Sequence, residues 1–186
     1  FLHGTYPNFM YNGDPATYGY PYRFDPLIPE ASQSLSHALN YLWDKVALNP
    51  SEYLLWYFWG KPTTLWQWQL IQGADIFTYP ADYSPYFDKR LFSYTFLLHK
   101  YSHFVAVAIG MAYSIWILLR ILQKRLDLRQ FEPIIVVCVA LLIYITFMHI
   151  FVASFPRYTI PLRPQLFIVV LFCLFSLSRR YKARRS

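Results

Sequence analysis

The sequence predicts an all-α membrane protein with three transmembrane helices and an external, aromatic-rich region of amphipathic interfacial helices. Three observations predict it. The second half holds three apolar runs, Tyr101 to Leu119, Pro133 to Phe155 and Pro164 to Ser178, none containing Asp, Glu, Lys or Arg. Charge is divided in the same way: residues 1–100 hold 6 Lys/Arg against 8 Asp/Glu (net −2), and residues 101–186 hold 11 against 2 (net +9), together the chain's +7. Finally, 21% of the residues are aromatic, with Trp56, Trp59, Trp66 and Trp68 crowded together, a composition suited to the headgroup level of a bilayer. The predicted organisation is an external part over 1–100, a three-span region over 101–178 and a basic tail over 179–186.

The first stretch, FLHGTYPNFMYNGDPATYGYPYRFDP, is rich in Tyr, Phe, Pro and Gly. Such residues favour turns over regular helix, so it reads as an ordered irregular loop pinned by aromatics. From Ala31 to Leu48, Leu35, Ala38, Leu39, Leu42, Trp43 and Val46 recur at helical spacing, which predicts an amphipathic helix. Asn49, Pro50 and Glu52 then resemble a capping-box start, with a second helix running to about Trp59 and interrupted by Gly60, Lys61 and Pro62. The tryptophans read first as interfacial anchors; stacking on sugar faces is the alternative for them and for the aromatics of residues 1–24.

At about 1.5 Å rise per residue the three apolar runs span about 28, 34 and 22 Å, against a hydrocarbon core of about 30 Å. The third is short and is expected to begin at the interface, with Pro164 in its first turn. Arg120, Lys124, Arg125 and Arg129 follow the first run, and Arg179, Arg180, Lys182, Arg184 and Arg185 follow the third. The positive-inside bias puts both clusters in the cytoplasm and residues 1–100 in the periplasm of a bacterial inner membrane.

No Gly-rich phosphate loop, HExxH, paired CxxC or GxSxG occurs, and Asn49-Pro50-Ser51 has Pro where a glycosylation acceptor forbids it. No span carries a polar stripe that would line a channel. Cys138 and Cys173 fall within spans and are expected to be free, buried thiols. His103 and His149 both fall about 25 Å from the cytoplasmic ends of their helices, with His99 one turn from His103. They read as hydrogen-bonding groups near the outer interface, with haem, chlorin or metal ligation as the alternative.

Arg157 and Arg163 lie on the side that topology disfavours for arginine, in a loop stiffened by Pro156, Pro161 and Pro164. A guanidinium donates two parallel hydrogen bonds to phosphate, and such charge-assisted bonds are strong at a low-dielectric interface. Snorkelling to ordinary lipid headgroups is the competing reading.

The pattern HIFVASFPRYTIPLRP, a His eight residues before Arg-Tyr and then spaced prolines opening a final span, resembles the C-terminal end of multi-spanning glycosyltransferases that use polyprenyl-phosphate sugars, the protein mannosyltransferase and aminoarabinose transferase class. HGTYPNFMYNGDPATYGYPYRFDP and YLLWYFWGKPTTLWQWQLIQGADIFTYP are similar to the last large external loop of that group. The resemblance implies that Arg157 with Tyr158 and His149 meets the carrier's phosphate, with Lys61 and Arg163 as weaker candidates. It also implies that the acidic general base belongs to a first external loop that has no counterpart here. Asp14, Asp25, Asp75, Asp82 and Asp88 are external carboxylates, but Asp14 and Asp25 precede Pro and read first as turn formers.

With Phe1 in first place, no initiator Met and no signal-like segment, the chain is expected to be a fragment or processed. The expected function is therefore the carrier-recognising end of a glycosyltransferase, not catalytic alone, whose partners are membrane lipid, the carrier and the N-terminal part of the enzyme. The alternative is a non-catalytic accessory subunit of a larger membrane complex, with a cofactor between His103 and His149.

Overall fold

The computed structural model describes residues 1–10, 14–68, 89–123 and 132–183, and every regular element among them is helical. Asp75, Asp82, Asp88, Lys124, Arg125, Arg129, Arg184 and Arg185 lie outside the described residues. The chain forms two compact units, one of Phe1–Phe87 with Met148–Tyr158, the other of Asp88–Phe147 with Thr159–Ser186.

The first unit begins with short 3-10 turns at Leu2–Gly4, Pro7–Met10, Pro15–Thr17 and Pro21–Phe24, the second of them left-handed at Asn8, Phe9 and Met10 (φ 50, 55 and 47°). Proline opens three of them because its fixed φ suits a first turn and its missing donor is not needed there. The two aspartates act as turn formers. Asp14 accepts from the Ala16 amide at 2.9 Å, and Asp25 from the Leu27 amide at 2.9 Å. Burial of Tyr6, Phe9, Tyr20, Tyr22, Ala31, Tyr41 and Trp56 in one cluster pins this loop.

Helix α1 (Ile28–Ala31) is a single turn and α2 covers Leu35–Leu48. The expected start at Ala31 is thus corrected to Leu35, because the Ser34 hydroxyl accepts from the His37 amide at 3.2 Å and sets the N-terminus. Ala38 and Tyr41 face the core, whereas the i, i+4, i+8 stripe of Leu35, Leu39 and Trp43 is exposed, Trp43 by 72%.

Helix α3 (Pro50–Leu55) follows after one residue, so Asn49 ends one helix and begins the next. Its amide is held by the Lys45 carbonyl and its side chain makes no cap, so the expected capping box does not form. The expected interruption at Gly60-Lys61-Pro62 is also corrected. A π-helical turn over Trp56–Gly60 joins α3 directly to α4 (Lys61–Trp66), all with right-handed backbone. Proline cannot supply the i to i−4 bond and crowds that carbonyl, and a wider turn relieves both without ending the helix.

The second unit contains α5 (Arg90–Leu122), α6 (Pro133–Phe151) as far as Phe147, and α7 (Arg163–Ala183). Helix α5 starts well before Tyr101. Polar residues in its first turns suit a helix once their hydroxyls bond back to carbonyls, as Thr95 does to Leu91 and Phe92 at 3.0 and 2.9 Å. Helix α6 stops at Phe151 rather than Phe155, consistent with the extended backbone that Pro156 favours in the residue before it. Helix α7 extends the third run at both ends and has Pro164 in its first turn as expected. Three stretches, Arg90–Leu122, Pro133–Phe151 and Ile160–Arg179, are long and apolar enough to cross a membrane.

Helix α5 packs on α7 through a face of His103, Ala106, Gly110, Ser114 and Ile117, all buried. Small residues let the helices approach closely, as they do where helices cross within membranes. A Cβ on Gly110 would lie 2.5 Å from Leu166 Cδ1, and Ser114 hides its hydroxyl on the Gly110 carbonyl at 2.7 Å. An apolar cleft of about 400 Å³ lies between α5 and α6, lined by residues such as Ile117, Ile121, Val139 and Phe147. Cys138 and Cys173 are free and buried, as expected.

Candidate functional site

The segment from His149 to Tyr158 leaves the end of α6, and its own residues and those of the first unit fix it at several points. Ser154, fully buried, donates to the His149 carbonyl at 2.7 Å and closes the end of α6. The Phe155 ring stacks on Phe9 with centroids 4.7 Å apart. Gly4 lies against the backbone of Val152, where a Cβ would stand 2.5 Å from the carbonyl oxygen. The Gly4 carbonyl in turn accepts from Trp56 Nε1 at 3.0 Å. Pro156–Tyr158 then form a 3-10 turn, with Pro156 buried.

Arg157 projects from that turn and is exposed. Its guanidinium lies over the rings of Phe155 and Tyr158, 5.0 and 5.3 Å from their centroids, and makes no hydrogen bond or ion pair among the described residues. Aromatic faces stabilise a guanidinium without using its donors, so the planar fork stays open toward solvent. Tyr158 also packs on His149, centroids 5.0 Å apart. Three of the sequence candidates, Arg157, Tyr158 and His149, are therefore neighbours in one unit. Such a constellation can take an anion: a forked cation, a phenol and an imidazole on a turn immobilised from beneath.

Lys61 is placed differently. It is 0% exposed, and its ammonium donates to the carbonyls of Ile150 at 2.6 Å and Val152 at 3.3 Å. Its nitrogen also lies 3.9 Å from the Tyr57 ring centroid. Burial lowers its pKa to about 7. Burial likewise pushes the Tyr57 phenol up to about 12, and that hydroxyl is buried without a hydrogen-bond partner among the described residues. Arg163 begins α7 in the second unit and is half-buried. His103 is buried on the α5 face that meets α7, and His149 belongs to the first unit. Among the described residues no group of three His, Cys, Asp or Glu is placed to hold a metal ion.

The tryptophans divide. Trp56 and Trp66 are 3% exposed and belong to the protein core, which corrects their assignment as anchors, while Trp59 is 66% exposed. The faces of Tyr6, Phe9, Tyr20 and Tyr22 are likewise used on one another and not offered to a ligand.

Sequence reasoning missed Gly4, Phe9 and Ser154 as supports of the turn, and the group formed by Asp25 with two tyrosines. Tyr6 and Tyr41 donate to Asp25 Oδ2 at 2.8 and 2.7 Å. The spacing of Asp25-Pro26 signals a turn but says nothing of partners that distant in the chain.

No family model, curated protein or solved structure matches the chain.

Proposed function

We propose that the chain is the lipid-carrier-recognising end of an integral membrane glycosyltransferase that uses a polyprenyl-phosphate sugar donor, and that Arg157 binds the carrier's phosphate. The observation that carries the reading is the open guanidinium of Arg157, supported on Phe155 and Tyr158 and free of any intramolecular acceptor among the described residues. A phosphate is the partner that an unsatisfied planar fork at the end of an apolar helix fits best, because it accepts two parallel bonds and is held at that depth by its hydrocarbon tail. The sugar-transfer half rests on the sequence resemblance, which also assigns the acidic base to another part of the enzyme.

The topology follows the basic clusters: Arg120 and the Arg179 end lie in the cytoplasm, and the His149–Tyr158 turn faces the periplasm of a bacterial inner membrane. The exposed Leu35, Leu39, Trp43, Phe58 and Trp59 rest on the outer leaflet as interfacial side chains.

The test is binding of undecaprenyl phosphate to the protein in nanodiscs, wild type against Arg157→Ala. Hydrogen bonds to charged groups contribute about 1.5–3 kcal/mol, so affinity should fall on the order of 10- to 100-fold. Unchanged affinity in a folded variant overturns the reading.

A further inference from the structure

We propose that Lys61 is the positioning residue of the Arg157 turn: its buried amino group, bonded to the carbonyls of Ile150 and Val152, fixes the end of α6 from which that turn departs. The importance given to the turn rests on Arg157 as a phosphate ligand. The restraint itself rests on the geometry alone.

The last carbonyls of a helix have no amide partner within it and carry the negative end of the helix dipole. An amino group at that point replaces the missing donors. Lys61 does so with a compact amino group that has three donors when charged and two when neutral, two of them on carbonyls, and with the Tyr57 ring beneath it. The π turn at Trp56–Gly60 immediately precedes it and determines how Lys61 enters α4. Val152 is held twice, by Lys61 on its oxygen and by Gly4 against its backbone. Five residues later comes Arg157, with Ser154 and Phe155 anchored between them. At 0% exposure the Lys61 ammonium cannot itself meet a lipid phosphate, so its influence on one passes through this backbone.

The restraint depends on pH. Titratable or charged groups on the surrounding elements are Glu52, Tyr53 and Tyr57 before Lys61, His149 at the end of α6, Arg157 and Tyr158 on the 3-10 turn, and His3 in the first turn. Burial is the only cause that lowers the Lys61 pKa, to about 7. The pinned state thus binds its proton less tightly than a released lysine, whose ordinary value is about 10.4. Above about pH 7 the pinned side chain is a neutral amine, whose two N–H donors still serve both carbonyls, while a released lysine stays charged up to about 10.4, so pinning strengthens as pH rises across that window. Acidification through that window loosens the turn by up to about tenfold per unit, with no further change below it.

Two readouts test this on the full chain in nanodiscs. Amide exchange over residues 149–158, corrected for intrinsic rates, is followed from pH 6 to 10. Affinity for dioctanoyl phosphatidylglycerol, whose phosphodiester keeps one charge across that range, is measured at fixed pH. We expect wild-type protection to rise above pH 7, and Lys61→Met to flatten the profile and weaken probe binding about tenfold. Propylamine, which replaces the missing side-chain amine, should restore protection in Lys61→Ala. A flat wild-type profile overturns the proposal even if no Lys61 variant folds, and so does Lys61→Met with wild-type protection and affinity. Arg157→Ala should lose the probe and keep the profile. If it keeps the probe, the phosphate reading fails and the exchange profile alone decides for or against the Lys61 restraint.

Discussion

The ring of Phe9 lies flat on that of Phe155, with centroids 4.7 Å apart and planes 5° from parallel. Phe9 is also edge-on to Trp56 at 5.4 Å, so one buried side chain joins the N-terminal loop, the π turn and the segment that carries Arg157. Truncating a buried Phe costs about 3–5 kcal/mol, and an aromatic pair adds about 0.5–1.5 kcal/mol beyond area. We expect Phe9→Ala and Phe155→Ala each to lower the denaturant midpoint. The double variant should fall short of additivity by about the pair energy, which a double-mutant cycle measures. Additive losses would mean that the two rings act independently.

Gly4 tests the same junction from the backbone side. Any Cβ there meets the Val152 carbonyl oxygen at 2.5 Å and the Val152 carbonyl carbon at 2.7 Å, atoms that cannot rotate away. Gly4→Ala must therefore displace one segment from the other and break the Trp56 Nε1 bond to the Gly4 carbonyl. A loss of about 1–3 kcal/mol is expected for overpacking of this kind. Loss of Trp56 fluorescence anisotropy together with a lower Tm would report it, and a Tm equal to wild type would show that the contact is not tight in solution.

The three long helices were legible because apolar runs of that length have no other stable use, and Ser154 to Arg163 was legible as a loop because prolines and arginines punctuate it. Boundaries were not. Thr95 hides its hydroxyl on carbonyls of its own helix, so α5 begins at Arg90 although the sequence there looks mixed. Pro62 looked like a stop, and a π turn absorbed it. Of the site, Arg157, Tyr158 and His149 were found together because they are close in the chain. Lys61 was read as a weaker phosphate candidate and not as a structural group, because its partners are carbonyls about ninety positions away, and backbone acceptors leave no mark in a sequence.

The α5 and α7 contact offers a check on the packing of the long apolar helices. The Cβ of an alanine at Gly110 would press on the Leu166 Cδ1 terminus, which a rotamer change relieves, whereas a leucine would also fill the space of Val170. Gly110→Ala should thus be mild, under about 1.5 kcal/mol, and Gly110→Leu should cost about 1–3 kcal/mol or more. Steric trapping or detergent denaturation separates the two cases. Equal effects of alanine and leucine would place the residue away from a packed face.

Asp25, Tyr6 and Tyr41 give the first unit a defined pH window. Burial pushes the Asp25 carboxyl up, but bonds from Tyr41, the Leu27 amide and Tyr6, with the charge of Lys45, outweigh it and hold its pKa below the usual range. A depressed carboxyl contributes stability that is present above its unfolded value, about 3.9, and is lost as pH falls through the folded value. Burial chiefly raises the phenols of Tyr6 and Tyr41, so the folded state keeps protons that the unfolded chain releases above about pH 10. Stability should therefore decline on both sides, in acid below about pH 4 and in alkali above about pH 10. Asp25→Asn should flatten the acid limb and leave an alkaline limb, because its amide oxygen still accepts from the two hydroxyls. Phe at both tyrosine positions should do the reverse, removing the alkaline limb while Asp25 loses two of its donors. Urea midpoints from pH 3 to 11 for the three proteins would settle the assignment, and an acid limb unchanged by Asp25→Asn would shift it to another carboxylate.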